Sequence, residues 1–346
     1  MLKTLVPKLA CPSCRRAEAV LAAETFTEGS QGHIRDGVLA CQLCRAWYPI
    51  EDDLLELVDR TLLEAKDHAS FCARFQAHIQ RHGLAVYGDC GSPAGCAVDA
   101  QLKQRRHFDS WAESESDYKD YGEAPFWSAV DELTFRQWKS RMKADGWLLD
   151  VGCANGRASF PLVASSAAVI GFDISKKLVR QAIERARAEG VHGKMTFLVA
   201  DGDVLPFRER SFDAVLTYGV LHHLPDPGRT CGKLQRILQE GGIHFASENN
   251  KTIFRPIFDL LMRVKPLWIE EAGAEPLISR RMIQDWTRGL AVRTVCSTSV
   301  FVPPHLCNLL GRRASRLLLQ ATDRVLSFVP GLADQGGLIL VEIHKQ

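Results

Sequence analysis

From about residue 126 to its end the chain alternates short apolar runs with amphipathic stretches, and few folds accept that order. Apolar runs of strand length separated by helical patterns argue for an α/β protein, a parallel sheet with helices on both faces. "WLLDVG", "AAVIGFD", "MTFLVAD", "FDAVLTYG" and "IHFASEN" read as five strands in succession. "AVRTVCSTSVFV" and "GLILVEIHK" read as two more, with a helical insertion at about 303–336 between them, so seven strands are expected. In "SKKLVRQAIERARAEG", Leu178, Ala182, Ile183 and Ala186 share one helical face, Ser175 can cap the start, and Gly190 suits a left-handed stop. "GRTCGKLQRILQEGG" reads as a helix ending in its two glycines.

The first of these strands runs into "LLDVGCANGR", residues 148–157. A strand ending in an acid, then a turn of small residues, then a helix suits a nucleotide cofactor. Small residues let the backbone come close, and the helix start offers free amides. A second acid about 20 residues on, at the end of the next strand, can hold ribose hydroxyls; Asp173 stands there. The dinucleotide pattern GxGxxG is absent, because Gly152 is followed by Ala154 and Arg157 in its second and third slots. The spacing Gly152-x-Ala154-x-Gly156 is of the GxGxG type instead.

Here the chain resembles the class I S-adenosylmethionine (SAM) methyltransferases, in particular those like the ubiquinone/menaquinone C-methyltransferases. "LLDVGCANGR" looks like their first motif, with Asp150 at its acid position, and "VIGFDIS" like their second, with Asp173 on the ribose and Ile174 beside it. "VADGDVLPFRERSFDAVLTYGVLHHLPDP" is similar to the third and fourth, which implies Asp201 at the adenine amino group with Gly202 and Asp203 alongside. "LQRILQEGGIHFASEN" resembles their fifth-strand segment, so the likeness covers roughly residues 140–250. It implies a Rossmann-like seven-stranded methyltransferase sheet and SAM as cofactor. Ala154 departs from the pattern. Alanine is strained where the turn needs a positive φ. The alternatives are a slightly reshaped working loop and a decayed site in a non-catalytic, scaffold-like relative. The retained Asp150, Asp173 and Asp201 favour the first.

SAM brings its own reactivity, a methyl group on a sulfonium, so the enzyme must mainly align the acceptor and exclude water. A base is needed only when the acceptor arrives protonated. Tyr218, His222 and His223 follow the fourth strand, at the end where open α/β sheets bind ligands. Either histidine could be that base or could simply pack in the fold, and Tyr218 suits the pocket wall beside the methyl group, where it also counts among the cofactor contacts. Methyltransferases of exocyclic base amines usually carry an [ND]-P-P-[YF] tetrad after this strand, and "TYGV" stands in its place. That favours an oxygen, nitrogen or carbon of a small, natural-product or lipid-like acceptor.

Residues 1–60 carry Cys11-x-x-Cys14 and Cys41-x-x-Cys44, 26 residues apart. Two such knuckles supply the four thiolates of a tetrahedral zinc site, which would be structural because no position is left open. The bland alternative is four reduced thiols without metal. "GVLACQLCRAWYPIEDDLLELV" is similar to the zinc ribbon of the tRNA-methyltransferase-activator type. A zinc finger before a SAM domain also suits an RNA (rRNA or tRNA) methyltransferase, the alternative reading; the acidic run "IEDDLLELVD" is unfavourable to phosphate. The remaining cysteines, Cys153 in the loop included, lack ligand spacing and are assigned to packing.

Residues 61–125 read as a helical linker and lid region, and 126–346 as the SAM domain. Within "QRRHFDSWAES" and "YGEAPFW" lie Tyr121, Phe126 and Trp127, which could cover the cofactor or pack in the core. After the fifth strand, an amphipathic stretch with Arg255, Arg263 and Lys265 could wall a bulky or lipid-like acceptor, touch a membrane surface, or form a homodimer interface. Glu248 and Asn249 are the polar groups expected nearest the acceptor. The net charge of +2 gives no overall basic excess for nucleic acid, and no apolar run is long enough for a membrane span or signal peptide. The expected location is cytoplasmic.

Overall fold

The computed structural model describes residues 1–84, 96–113, 123–267 and 276–346. Its strands are β1 (Leu21–Glu28), β2 (Ile34–Cys41), β3 (Trp47–Glu51), β4 (Leu54–Glu56), β5 (Trp147–Val151), β6 (Ala168–Asp173), β7 (Met195–Val199), β8 (Phe212–Tyr218), β9 (Leu238–Asn249), β10 (Val292–Ser299) and β11 (Leu338–Lys345). The helices are α1 (Ala65–Arg74), α2 (Gln76–Arg81), α3 (Cys96–Glu113), α4 (Pro125–Lys139), α5 (Ser159–Leu162), α6 (Lys176–Ala188), α7 (Pro227–Ile237), α8 (Arg255–Val264), α9 (Arg280–Thr287), α10 (Pro304–Leu310) and α11 (Arg312–Leu326). Among the described residues no helix is long and apolar enough to cross a membrane.

The strands form one sheet in the order β1-β2-β3-β4-β7-β6-β5-β8-β9-β11-β10. Among the described residues it therefore has eleven strands, not the seven expected. Seven consecutive strands, β7 to β10 in this order, are those read from the alternating pattern. The other four come from the cysteine-bearing N-terminus, because Leu55 and Glu56 of β4 pair in parallel with Leu198 and Val199 of β7. Strand β7 would otherwise be a bare edge, a ready template for unwanted pairing.

Strand order reverses at β5, which pairs in parallel with β6 on one side and β8 on the other. In open α/β sheets the crevice at such a reversal, beyond the strand C-termini, is where ligands bind. Side-chain alternation in β5 sends Leu148 to one face and Leu149 and Val151 to the other. The Leu148 face packs against Phe135 and Trp138 of α4 and Val179, Ala182 and Ile183 of α6. The opposite face is covered by Leu234 and Ile237 of α7 together with Leu2, Leu5 and Leu9 from the N-terminus. The ribbon segment thus takes part of the surface that helices alone were expected to cover.

Ser175 accepts the Leu178 amide at the start of α6, and Gly190 adopts φ +70°, as the sequence reading expected. The helix α7 is shorter than expected. It stops at Ile237, and the two glycines lie inside β9. Gly241 has φ +72°, and a Cβ on Gly242 would come within 3.0 Å of the Asp213 carbonyl oxygen. The pair permits a close backbone approach within the sheet, with a register shift in the β8–β9 pairing, rather than a helix stop.

Candidate cofactor and acceptor cleft

The loop after β5 is built on three positive-φ residues: Gly152 at +66°, Ala154 at +47° and Gly156 at +89°. Glycine is required twice for space as well as angle. A Cβ at 152 would lie 2.7 Å from Val220 Cγ2, and one at 156 only 2.4 Å from Phe160 Cε2. Gly156 shapes the turn without lining the cleft. Ala154 pays for its left-handed angle, roughly 1–2 kcal/mol for an L-residue. Its amide donates to Asp173 Oδ2 at 2.9 Å, and the Ser175 amide donates to Asp173 Oδ1 at the same distance. One carboxylate thus holds both the turn and the start of α6. A carboxylate accepts about four hydrogen bonds, so some capacity is left for a ligand. Burial pushes the Asp173 carboxyl above its usual range.

Asp150 is buried at the end of β5 and accepts the Ser159 hydroxyl at 2.6 Å. Burial, with Asp173 nearby, raises its pKa to about 7 against the opposing Ser159 hydrogen bonds. Asp201 follows β7; its Oδ1 accepts the Asp203 amide at 2.8 Å, and Oδ2 accepts Gln101 Nε2 of α3 at 2.5 Å. The loop after Asp201 is held from outside by the N-terminal segment. The Ala10 amide donates to the Pro206 carbonyl at 2.9 Å, and the Arg208 amide donates to the Lys8 carbonyl at 2.8 Å.

Gln101, Asp150, Gly152, Ala154, Asp173 and Asp201 share one cavity of about 1230 Å³, and Ile174, Gly202 and Asp203 line it as well. Its roof is α3. Gln104 donates to the His223 carbonyl at 2.8 Å, Phe108 lines the space, and Asp109 accepts the Ser175 hydroxyl at 2.6 Å. Phe126 and Trp127 of α4 both line the cavity and are buried against each other, ring centroids 4.9 Å apart. Tyr121 lies outside the described residues. Sequence reading missed Asp131, also on α4. The Tyr218 hydroxyl donates to Asp131 Oδ1 at 2.5 Å, and Arg157 forks onto both Asp131 oxygens at 2.8 and 2.9 Å. Tyr218 is thus fixed in the wall. Asp131 is far from Tyr218 in sequence and sits in no recognisable motif; its place one helical turn after Trp127 is the only signal.

In the same cleft His222 and Glu248 form a pair. His222 Nδ1 lies 2.6 Å from Glu248 Oε2, and Glu248 Oε1 accepts the amides of Val220 and Leu221 at 3.0 and 2.8 Å. With the carboxylate as acceptor, the Nδ1 proton is assigned to the histidine, which leaves Nε2 as the basic nitrogen. His223 lines the same cavity, but burial, with His222 and His107 nearby, lowers its pKa to about 3. Asn249, Arg255 and Arg263 line the far lobe; Lys265 does not, and its carbonyl instead lies 2.8 Å from His305 Nε2. Cys153 is buried and its thiol is pushed well up by that burial, which suits packing and not nucleophilic chemistry.

Away from the cleft, Cys11, Cys14, Cys41 and Cys44 converge, with all four sulfurs within 4.8 Å of one another. The two knuckles are built alike. The residue after each pair, Arg15 or Arg45, has positive φ and returns its amide to the carbonyl of the first cysteine at 3.0 Å. The Cys11–Cys44 and Cys14–Cys41 sulfurs are 3.6 and 3.9 Å apart. Four thiolates at the usual zinc–sulfur distance of about 2.3 Å in a tetrahedron would be separated by about 3.8 Å, so the donor set fits the ion.

Residues 149–246, which carry the loop, Asp173, Asp201 and the His222 segment, match the family model of the methyltransferase domain. This span is thus similar to methyltransferase domains. Over 102 residues the chain is 36% identical to the 27-O-demethylrifamycin SV methyltransferase of Amycolatopsis mediterranei, covering 29% of this chain and 38% of that one. Over 109 residues it is 37% identical to the ubiquinone biosynthesis O-methyltransferase of Caulobacter vibrioides, covering 31% and 42%. The chain thus spans about two fifths of the length of these curated relatives. A solved structure of a SAM-dependent methyltransferase from Thermotoga maritima is 15% identical and superposes with a TM-score of 0.48, covering 70% of this chain and 99% of that one.

Proposed function

We propose that the protein is a SAM-dependent methyltransferase of a small-molecule acceptor, with a structural zinc ion in its N-terminal ribbon. The observation that carries this reading is the convergence of Asp150, Asp173 and Asp201 on one cavity, with Asp173 holding the Ala154 amide. Asp173 has acceptor capacity left for ribose hydroxyls, and Asp201 stands where an adenine amino group would donate once Gln101 yields its place. The group bound there supplies the reactivity, a methyl carried on a sulfonium.

The chain supplies the rest. Helix α3, Phe126 and Trp127 keep water from the reacting atoms. Asp131 and Arg157 hold Tyr218 rigid beside them. His222 Nε2 takes the proton of an O–H or N–H acceptor, while Glu248 orients the ring and stabilises the imidazolium that forms. His223 stays neutral and serves the wall. Because all four ribbon ligands are protein thiolates, zinc there has no open position for chemistry. Its role is to hold the segment that braces the loop after Asp201.

Calorimetric titration of the purified protein with SAM tests the reading. One site per chain is expected. A folded protein that fails to bind SAM would refute it. Incubation with methyl-tritiated SAM and cell extract separates acceptors, since label is expected in the small-molecule fraction and not in RNA.

A further inference from the structure

We propose that α8 and the α10–α11 pair form a docking face for an anionic lipid bilayer, from which a membrane-borne amphiphilic acceptor enters the cleft. The docking stands on surface chemistry alone; the identity of the acceptor rests on the methyl-transfer reading above.

Helix α8 is apolar on two sides. Phe258 and Met262 line the cavity, while Ile253, Leu260 and Val264 around the same segment face solvent, Val264 with 78% of its surface exposed. Ile257 does both. Among the described residues no side chain covers this outer apolar side, an unfavourable state unless something else does. The helical insertion repeats the pattern: Leu309 is 76% exposed, Phe328 82%, and Leu317 and Val325 more than half. The two regions meet at both ends of α8. Thr252 and Ile253 bond to Gln335, at the end of the insertion, and the Lys265 carbonyl meets His305 of α10. Together they rim the far lobe of the cavity, where Val300, Val302 and Pro304 complete an apolar wall.

Charge decides what covers this rim. Residues 251–329 hold twelve Lys and Arg against six Asp and Glu, in a chain whose total is +2. The remainder is therefore net acidic, and eight of the twelve cations, against only Asp259 and Asp323, belong to residues 251–265 and 303–329, the segments that carry the exposed apolar side chains; Arg255 pairs with Asp259, and Arg312 and Arg316 with Glu132. Apolar side chains inserted among cations are the composition of an interfacial helix on anionic lipid, with Arg and Lys at headgroup level. A second copy of this chain is disfavoured, since a two-fold interface sets this face against itself and brings cation to cation. RNA would satisfy the cations and leave the aliphatic side chains uncovered.

The test uses the full chain, sedimented with phosphatidylcholine vesicles and with vesicles containing phosphatidylglycerol at about a third of their lipid. Binding is expected to the anionic vesicles at least tenfold more strongly than to the neutral ones. Val264, Leu309 and Phe328 do not line the cavity, so V264E/L309E/F328E is expected to keep its melting temperature and SAM affinity while losing vesicle binding at least tenfold. The proposal is overturned if the wild type ignores anionic vesicles, or if the folded variant binds them equally. It is also overturned if light scattering shows a dimer that the variant abolishes without any vesicle binding by the wild type, or if RNA competes for the face and the variant binds RNA unchanged. SAM calorimetry on the same samples keeps the two readings apart. Vesicle binding without SAM binding removes the cofactor reading and leaves the docking face. SAM binding without vesicle binding does the reverse.

Discussion

His222 Nδ1 sits 2.6 Å from Glu248 Oε2, so the last buried acid of β9 orients the first histidine after β8. If this pair removes the acceptor proton, His222→Asn lowers kcat by about 10²–10⁴, the usual contribution of general-base catalysis, with SAM affinity unchanged. Glu248→Gln gives a smaller loss and moves the acid limb of the kcat–pH profile. Label transfer from methyl-tritiated SAM reads both. A carbon acceptor that arrives already deprotonated would leave His222→Asn near wild-type activity.

Asp173→Ala removes the group that holds both the loop and the start of α6. Losing hydrogen bonds to a charged acceptor costs about 1.5–3 kcal/mol each, so SAM affinity is expected to fall by at least about tenfold. Calorimetry beside a circular dichroism spectrum separates lost affinity from lost fold. Undiminished SAM binding would mean that the cofactor lies elsewhere.

Ala154→Gly probes the strained position of the loop. Glycine removes roughly 1–2 kcal/mol of left-handed strain and adds about 0.5–1 kcal/mol of unfolded-state entropy, so the net change is a stabilisation of about 1.5 kcal/mol or less. SAM affinity should hold or improve. A clear drop in melting temperature would show that the alanine methyl group packs to an extent that outweighs its strain.

Elemental analysis should find one zinc per chain, and Cys41→Ser or a strong chelator should remove it. Loss of a structural zinc withdraws several kcal/mol, so the melting temperature should fall by about 10 °C or more. SAM affinity should weaken as well, although no ribbon residue lines the cleft, because Lys8 and Ala10 brace the loop after Asp201. A metal-free protein of unchanged stability would leave the four cysteines as plain thiols.

His244 lies wholly buried in β9 with its Nε2 2.9 Å from Thr217 Oγ1, and burial lowers its pKa to about 4. The unfolded chain, with an ordinary histidine near pKa 6.5, takes up the proton first. Stability from the neutral ring is therefore complete above about pH 6.5 and drains away as pH falls toward 4, by on the order of 3 kcal/mol. Asp150, held high, acts in the opposite direction over this range, so the wild-type curve alone does not isolate the histidine. Subtracting the stability curve of His244→Gln does. The advantage of wild type over variant should shrink between pH 6.5 and 4, and a difference independent of pH would contradict the assignment.

The strands of the sheet were legible because their periodicity is local: β6 is buried along its whole length and reads as an apolar run up to Asp173. Asp150 and Asp173 were placed by their positions around Gly152 and Asp201 through the resemblance alone, and all three line one cavity. What escaped depends on partners far away in sequence. Asp131 matters only because α4 crosses Tyr218 and Arg157, and Gln101 only because α3 roofs Asp201. Leu54–Glu56 is too short a run to announce a strand, and nothing nearby says that its partner is Leu198. The Gly241–Gly242 pair misled because two glycines after a helical pattern usually stop a helix, whereas here they admit a neighbouring backbone.

The seam between β4 and β7 bears on how this chain could be divided. A fragment beginning after residue 60 would keep every residue of the cleft yet expose the backbone edge of β7 at Leu198 and Val199, and should tend to self-associate. The cysteine-bearing segment is therefore not an accessory that can be shed or exchanged freely. Any recombination that parted the two halves would have to supply another strand for that border.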